Sequence, residues 1–153
     1  MAHVFTQILL HYVFVVRHRR ALISPKWEAG LYHAMGQLFK KYNCQPHIIN
    51  GHNDHVHCLV SINNTISIAD LAKYVKGPST KYINDQKLTE FPFSWQTGYG
   101  CFAHNQSNLG TVYNYIKYQK QHHIKTTFKT EFQNLLKENE IPYEPNNNYL
   151  PII

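Results

Sequence analysis

The sequence predicts an α+β fold: an antiparallel sheet of split βαβ connectivity, ferredoxin-like or RRM-like, followed by extra C-terminal helices. Three observations predict it. Segments rich in β-branched and aromatic residues alternate with segments of helical period in the order strand, helix, strand, strand, helix, strand. The chain has 153 residues, 43% of them hydrophobic, enough to bury one core without covalent staples. It carries no internal repeat, and its low-complexity content is the run Asn146–Asn148, so one domain is expected over 1–153.

Gln7–Arg17 (QILLHYVFVVR) reads as the first strand, and Arg17–Arg20 (RHRR) puts basic charge at its exit. Ser24-Pro25 supplies a cap and a first-turn proline for a helix with Trp27, Leu31, Ala34, Leu38 and Tyr42 at three- and four-residue spacing. Pro46–Asn50 and His55–Ile62 read as two strands joined around the turn-prone dipeptide Asn50-Gly51. Ser67 opens a second helix, with Asp70 placed for a capping box and Leu71, Tyr74 and Val75 on its apolar face. Gly77-Pro78 is expected to bend or interrupt that helix. Trp95–His104 reads as one further strand with a glycine kink. Ser107 caps a third helix running to about His123, and Thr127 opens a fourth with Phe128, Phe132, Leu135 and Leu136 inward. Pro142–Ile153 is expected to lie extended over the surface. The first two helices should cover one sheet face, leaving the other open or covered by the later helices or a partner.

Composition narrows the function classes. Hydrophobic content of 43% and aromatic content of 14% exclude a disordered chain. Fifteen Lys and Arg against nine Asp and Glu leave a net charge of +6, which favours an acidic partner, nucleic acid or a membrane surface. Cys44, Cys58 and Cys101 are odd in number and not closely paired, which argues against a disulfide framework and a Cys-based zinc site. Ile8–Val16 lacks the basic flank and cleavage site of a signal peptide, and no apolar run approaches the ~20 residues of a membrane span. A soluble, cytoplasmic chain without a membrane partner is expected. Eleven His and eleven Tyr make metal and phenol chemistry available, and their placement decides whether it is used.

His55-Val56-His57 lies within a strand, where side chains alternate between faces. Val56, Cys58, Val60 and Ile62 make a continuous apolar face, so the core takes the even positions. Both imidazoles then share the opposite face, roughly 7 Å apart, where they can hold one divalent metal. Being off the core face, His57 should be removable with little unfolding. A bare His-x-His also arises by chance in a His-rich chain. His52, three residues earlier, either joins a His-rich zinc cluster or sits in the turn as a solvated or substrate-contacting residue.

On the third predicted helix, Leu109, Val112, Tyr113 and Ile116 form an inward stripe. Tyr115, Gln119 and His122 form a second stripe at i, i+4 and i+7. A carboxamide oxygen is a hard ligand for Mg²⁺ or Mn²⁺ and a phenol is a nucleophile; equally, Tyr115 is one of many tyrosines at a helix surface. Lys76, Ser79, Thr80 and Lys81 surround the expected helix break and suit phosphate oxygens, aided by freed backbone N–H groups. Arg17, Arg19 and Arg20 add charge, though any one such cluster is more often a solvated face.

Taken together, these residues resemble the single-tyrosine transposases of the smallest bacterial insertion sequences, the IS200-like family within the HUH endonucleases. The resemblance rests on Asp54-His55-Val56-His57-Cys58-Leu59-Val60, on Leu71 to Ile83 around Lys76-Gly77, and on Trp95-Gln-Thr-Gly-Tyr-Gly100 followed by Phe102. It ends with Tyr115-Ile116-Lys117-Tyr118-Gln119 and His122-His123 behind it, and it runs from about Gln7 to Tyr149. Two positions depart from the family pattern: Cys58, where Leu is common, and Tyr118, where Asn is common.

The resemblance implies His55, His57 and Gln119 as ligands of Mg²⁺ or Mn²⁺ and Tyr115 as nucleophile, with His122 and His52 as accessory candidates. It implies binding of hairpins in single-stranded DNA at element ends, cleavage through a 5′-phosphotyrosine link, and rejoining. It also implies a homodimer in which the tyrosine helix often completes the partner's site. Against this stand a domesticated, non-cleaving nucleic-acid module of the same fold, a replication-initiation or relaxase-type enzyme, and a zinc hydrolase built on His52, His55 and His57.

Overall fold

A computed structural model describes residues 3–144. Four strands form one antiparallel sheet: β1 (Leu9–Val15), β2 (Gln45–Gly51), β3 (His55–Ser61) and β4 (Gly100–His104), in the order β2-β3-β1-β4. Helix α1 (Glu28–Lys41) connects β1 to β2, and α2 (Ile68–Asp85) connects β3 to β4. After β4 come α3 (Leu109–Lys117), α4 (Gln119–His122) and α5 (Phe128–Glu138). This is the expected split βαβ sheet with C-terminal helices.

Strand alternation divides the interior into two. Leu10, Tyr12, Phe14 and Val16 join Val56, Cys58 and Val60 under α1 and α2, where Leu31, Met35, Phe39, Leu71 and Val75 complete the larger core. On the other face, Val13, Val15 and Phe102 pack against Phe128 and Phe132, while Leu9 and Leu59 pack against Val112 and Ile116. The later helices therefore close the second face. Cys44, Cys58 and Cys101 are free thiols, the first two buried and Cys101 half-buried. Among the described residues, no helix is long and apolar enough to cross a membrane.

Five local expectations need correction. Helix α2 runs unbroken through Gly77-Pro78. An internal proline costs about 3 kcal/mol, whereas burying each Leu, Val or Ile side chain returns roughly 1.5–3 kcal/mol. Leu71, Val75, Ser79 and Ile83 repeat every fourth residue and are all buried, so packing holds the helix through the proline. The hairpin turn is His52-Asn53-Asp54, not Asn50-Gly51, and His52 N–H donates to the His55 carbonyl at 3.0 Å. Gly51 is needed within the strand instead, because a Cβ there would lie 2.1 Å from the His55 carbonyl oxygen.

The strand expected over Trp95–His104 is regular only from Gly100, with Trp95 bridged singly to Val16 and Gly98 at φ +87° between them. The third helix stops at Lys117 and a new short turn starts at Gln119. By contrast, the caps at Ser67 and Thr127 form as read, their hydroxyls accepting from Asp70 N–H and Thr130 N–H. Helix α1 begins later than Ser24-Pro25, at Glu28, after a turn closed by the Ser24 carbonyl. Of the expected tail, residues 145–153 lie outside the described residues, as does the side chain of Arg19.

Candidate active site

The histidine-bearing face of β3 is the starting point. His55 and His57 do project to the same side, their ring centroids 5.0 Å apart. They are not off the core, however: both are fully buried. Helix α5 lies over them, with Phe128 against the His55 ring at 4.3 Å between centroids. Each imidazole is oriented through Nδ1. Asp54 Oδ1 holds that of His55 at 2.6 Å, and His11 Nε2 on the neighbouring strand holds that of His57 at 2.6 Å. Both Nε2 atoms are thereby aimed into one space, an arrangement that fixes tautomer and ring direction in metal sites.

Facing them is the stripe Tyr115, Gln119 and His122, which survives the break between α3 and α4. Asn50 secures that break: its Nδ2 donates to the Ile116 and Lys117 carbonyls at 3.0 and 3.2 Å, satisfying the open end of α3. Lys120 Nζ binds Asn50 Oδ1 and the Gly51 carbonyl, each at 3.1 Å, and Glu28 Oε2 at 3.1 Å. Gln119 Oε1 then lies 3.0 Å from His55 Nε2, and the Tyr115 ring meets His57 edge-on at 5.9 Å.

At the centre is a residue the sequence reading missed, Glu131 of α5, which is 2% exposed. Its Oε1 lies 3.1 Å from His57 Nε2, 3.1 Å from His123 Nε2 and 3.4 Å from His55 Nε2. Its Oε2 accepts from Gln119 Nε2 at 2.7 Å and from the Tyr115 hydroxyl, and His122 Nε2 is 3.4 Å away. His123, noted in sequence only as a neighbour of His122, therefore belongs to the cluster, as does His11. One signal was available: Glu131 lies three residues beyond Phe128 and beside Phe132, a single carboxylate on an otherwise apolar stripe.

These contacts set the charges. Burial lowers the His55 pKa, but Asp54 and Glu131 outweigh it and raise it to about 9. Burial dominates at His57 and pushes it down to about 4. For Glu131, burial favours the neutral acid, yet hydrogen bonds from His123, His55 and His57 hold the carboxyl far below its ordinary range. Burial and the Glu131 charge both raise the Tyr115 phenol above its ordinary value. A pH profile follows for the metal-free protein. Between about 4 and 6.5 the unfolded chain protonates His57 and the native chain does not, so stability falls on acidification. Between about 6.5 and 9 the native chain keeps a His55 proton that the unfolded chain loses, so stability falls as pH rises. The thermal midpoint, measured with chelator present, should peak near about pH 6.5; a minimum there would contradict these assignments.

The donor set fits a divalent metal. Imidazole nitrogens with carboxamide and carboxylate oxygens suit Mn²⁺, and the oxygen donors suit Mg²⁺. His55, His57 and Glu131 present ligand atoms within 4.8 Å of one another, and so do His122, His123 and Glu131. His52 is in neither group; it sits at the rim, its ring 5.6 Å from His123. Beside Tyr115 a cavity of about 460 Å³ opens, lined by His11, His104, Asn108, Thr111 and Asn134 among others.

The expected phosphate contacts are dispersed. Because α2 is unbroken, it frees no backbone N–H groups near Gly77. Ser79 is buried and accepts from Trp95 Nε1 at 2.9 Å, and Lys76 Nζ donates to the Gln96 and Gly98 carbonyls at 2.8 and 2.6 Å. Thr80 is half-buried, and Lys81 pairs with Asp85 on the surface. Arg17 and Arg20 are exposed, Arg20 lying over Phe91.

Comparison with known proteins gives the family and the fold. The sequence model of the family described as "Transposase IS200 like" matches residues 4–119. The chain belongs to the IS200-like transposase family. Two solved structures share the fold of this family member. One is a candidate transposase from Deinococcus radiodurans R1, 16% identical, with TM-score 0.62 over 78% of this chain and 95% of that one. The other is a REP-associated tyrosine transposase bound to a REP hairpin, 13% identical, with TM-score 0.61 over 100% of this chain and 96% of that one. No curated protein sequence matches the chain. Glu131, His122 and His123 lie beyond the matched residues.

Proposed function

We propose that this transposase binds hairpins in single-stranded DNA and cleaves and rejoins strands through a 5′-phosphotyrosine intermediate on Tyr115. The observation that carries this is the convergence of Tyr115, Gln119 and the two Nε2 atoms of His55 and His57 on one space in one chain. That a similar fold is known with a DNA hairpin bound supports the substrate class. The net charge of +6 supplies the attraction for backbone phosphates, with Arg17, Arg19, Arg20, Thr80 and Lys81 as proposed contacts. Lys76 and Ser79 would act by fixing the segment that presents them.

His55, His57 and Gln119 would hold Mg²⁺ or Mn²⁺, which when bound stabilises charge on the scissile phosphate. Tyr115 Oη forms the bond to phosphorus, the bond to the 3′-oxygen breaks, and the phenol proton leaves while the departing oxygen gains one. One phosphodiester replaces another, so the freed 3′-hydroxyl of a new strand can reverse the step without ATP. Because α3 is fastened to its own hairpin by Asn50 and Lys120, each site would be complete in one chain. A homodimer would then bring two DNA ends together and not assemble the site.

The test is incubation with hairpin DNA from the ends of the protein's own element and Mn²⁺, followed by denaturing gels. A covalent protein–DNA adduct is expected; tight binding without any adduct would favour a non-cleaving module. Mixing Tyr115→Phe with His57→Ala protein should yield no adduct. An adduct from the mixture would instead show the tyrosine acting across subunits.

A further inference from the structure

The proposed reaction leaves the residue at the centre of the site without a task. Glu131 lies on α5, outside the part of the chain that matches the family, and its two oxygens face different groups. Oε1 looks at imidazole nitrogens of His57, His123 and His55 at 3.1, 3.1 and 3.4 Å. Oε2 takes the Gln119 amide at 2.7 Å and the Tyr115 hydroxyl. We propose that Glu131 is a ligand of the divalent metal through Oε1 and positions the Tyr115 hydroxyl through Oε2. This rests on the metal-dependent reading above and adds a residue to it.

The spacing admits one coordination shell. Ligand bonds of roughly 2.0–2.2 Å place two donors of one ion at most roughly 4.4 Å apart. Nitrogens at 3.1 and 3.4 Å from Oε1 fall inside that span. The donors are also held from behind, by Asp54 and His11 at the two imidazoles, so the cluster need not reorganise to accept a cation. An ionised carboxylate buried at 2% exposure demands compensation, and a divalent cation taking the place of the His55 proton would supply it with more charge than that proton does. The second oxygen ties ligand to nucleophile. Since one carboxylate spans both, the hydroxyl is held at a set distance from the metal position, the pre-alignment that in-line attack requires. A purely structural Glu131 would serve the fold as a counter-ion and leave metal affinity alone.

The deciding experiment measures Mn²⁺ binding without DNA, from the free-ion paramagnetic resonance signal, on the full chain and its variants. Glu131→Gln should weaken Mn²⁺ binding at least about tenfold, Glu131→Asp should recover part of that loss, and Tyr115→Phe should stay within about twofold. With Mn²⁺ saturating, Glu131→Asp should lower kcat for hairpin cleavage more than about tenfold with KM unchanged, the mark of misplaced Tyr115. Circular dichroism melts identify any variant that fails to fold, in which case the Asp variant alone decides. Mn²⁺ affinity unchanged in Glu131→Gln and Glu131→Asp overturns the ligand role while leaving the proposed function standing. Absence of Mn²⁺ binding by the unmodified protein overturns both.

Discussion

Tyr115→Phe is expected to eliminate the covalent protein–DNA adduct and to reduce hairpin cleavage by at least about a thousand-fold, as loss of an enzymic nucleophile does. The substitution deletes one oxygen. The ring keeps its edge contacts with His57, His11 and His122, and the side chain is only half-buried, so the helix has no reason to move. Glu131 Oε2 loses one donor but keeps the Gln119 amide at 2.7 Å, so the cost in stability should stay near about 1 kcal/mol. Cleavage and stability are therefore predicted to separate cleanly. Denaturing electrophoresis with labelled hairpin DNA reads the first and a urea titration the second. An adduct that survives in Tyr115→Phe would remove this tyrosine from the nucleophile's role.

The second large effect belongs to His57→Ala, and here the burial of β3 changes the expectation. A histidine facing away from the core would be dispensable for folding. His57 is instead fully buried, bonded to His11 at 2.6 Å and to Glu131 at 3.1 Å. Removing its ring opens a cavity and leaves two buried polar groups short of a partner, which should cost about 2–4 kcal/mol. Mn²⁺ binding and cleavage should disappear in the same variant. Urea denaturation with chelator present isolates the folding cost from the metal's contribution. A loss below about 0.5 kcal/mol would show that the second face of the sheet is far looser than its packing indicates.

The contrast marks what could be read from the residues. His55 and His57 were assignable to one face because a strand repeats every two residues, whatever surrounds it. Tyr115 and Gln119 were assignable because a stripe at i and i+4 outlasts one disrupted turn. Neither rule says what lies opposite. That α5 folds back over the sheet is decided by Phe128 and Phe132 meeting Val13, Val15 and Phe102, contacts between segments far apart in sequence. Glu131 travels with that helix, and by itself a carboxylate on an amphipathic helix reads as solvated. The same gap explains Gly77-Pro78, where local propensity argued for a break and a buried stripe overrode it. It also explains Asn50, which looked like a turn residue and is used to terminate a helix 66 positions away.

That use of Asn50 bears on how strands would be exchanged. With the end of α3 fastened to the β2–β3 hairpin, a DNA end joined to Tyr115 as proposed would be tethered to a stationary post. Its freedom would be the side chain's two torsions, enough to swing a phosphate locally and too little to carry it to a distant acceptor. The choreography of rejoining would then fall to the nucleic acid. The incoming 3′ end must travel to the post, and the refolding of the hairpin arms, not a stroke of the protein, would choose which end arrives.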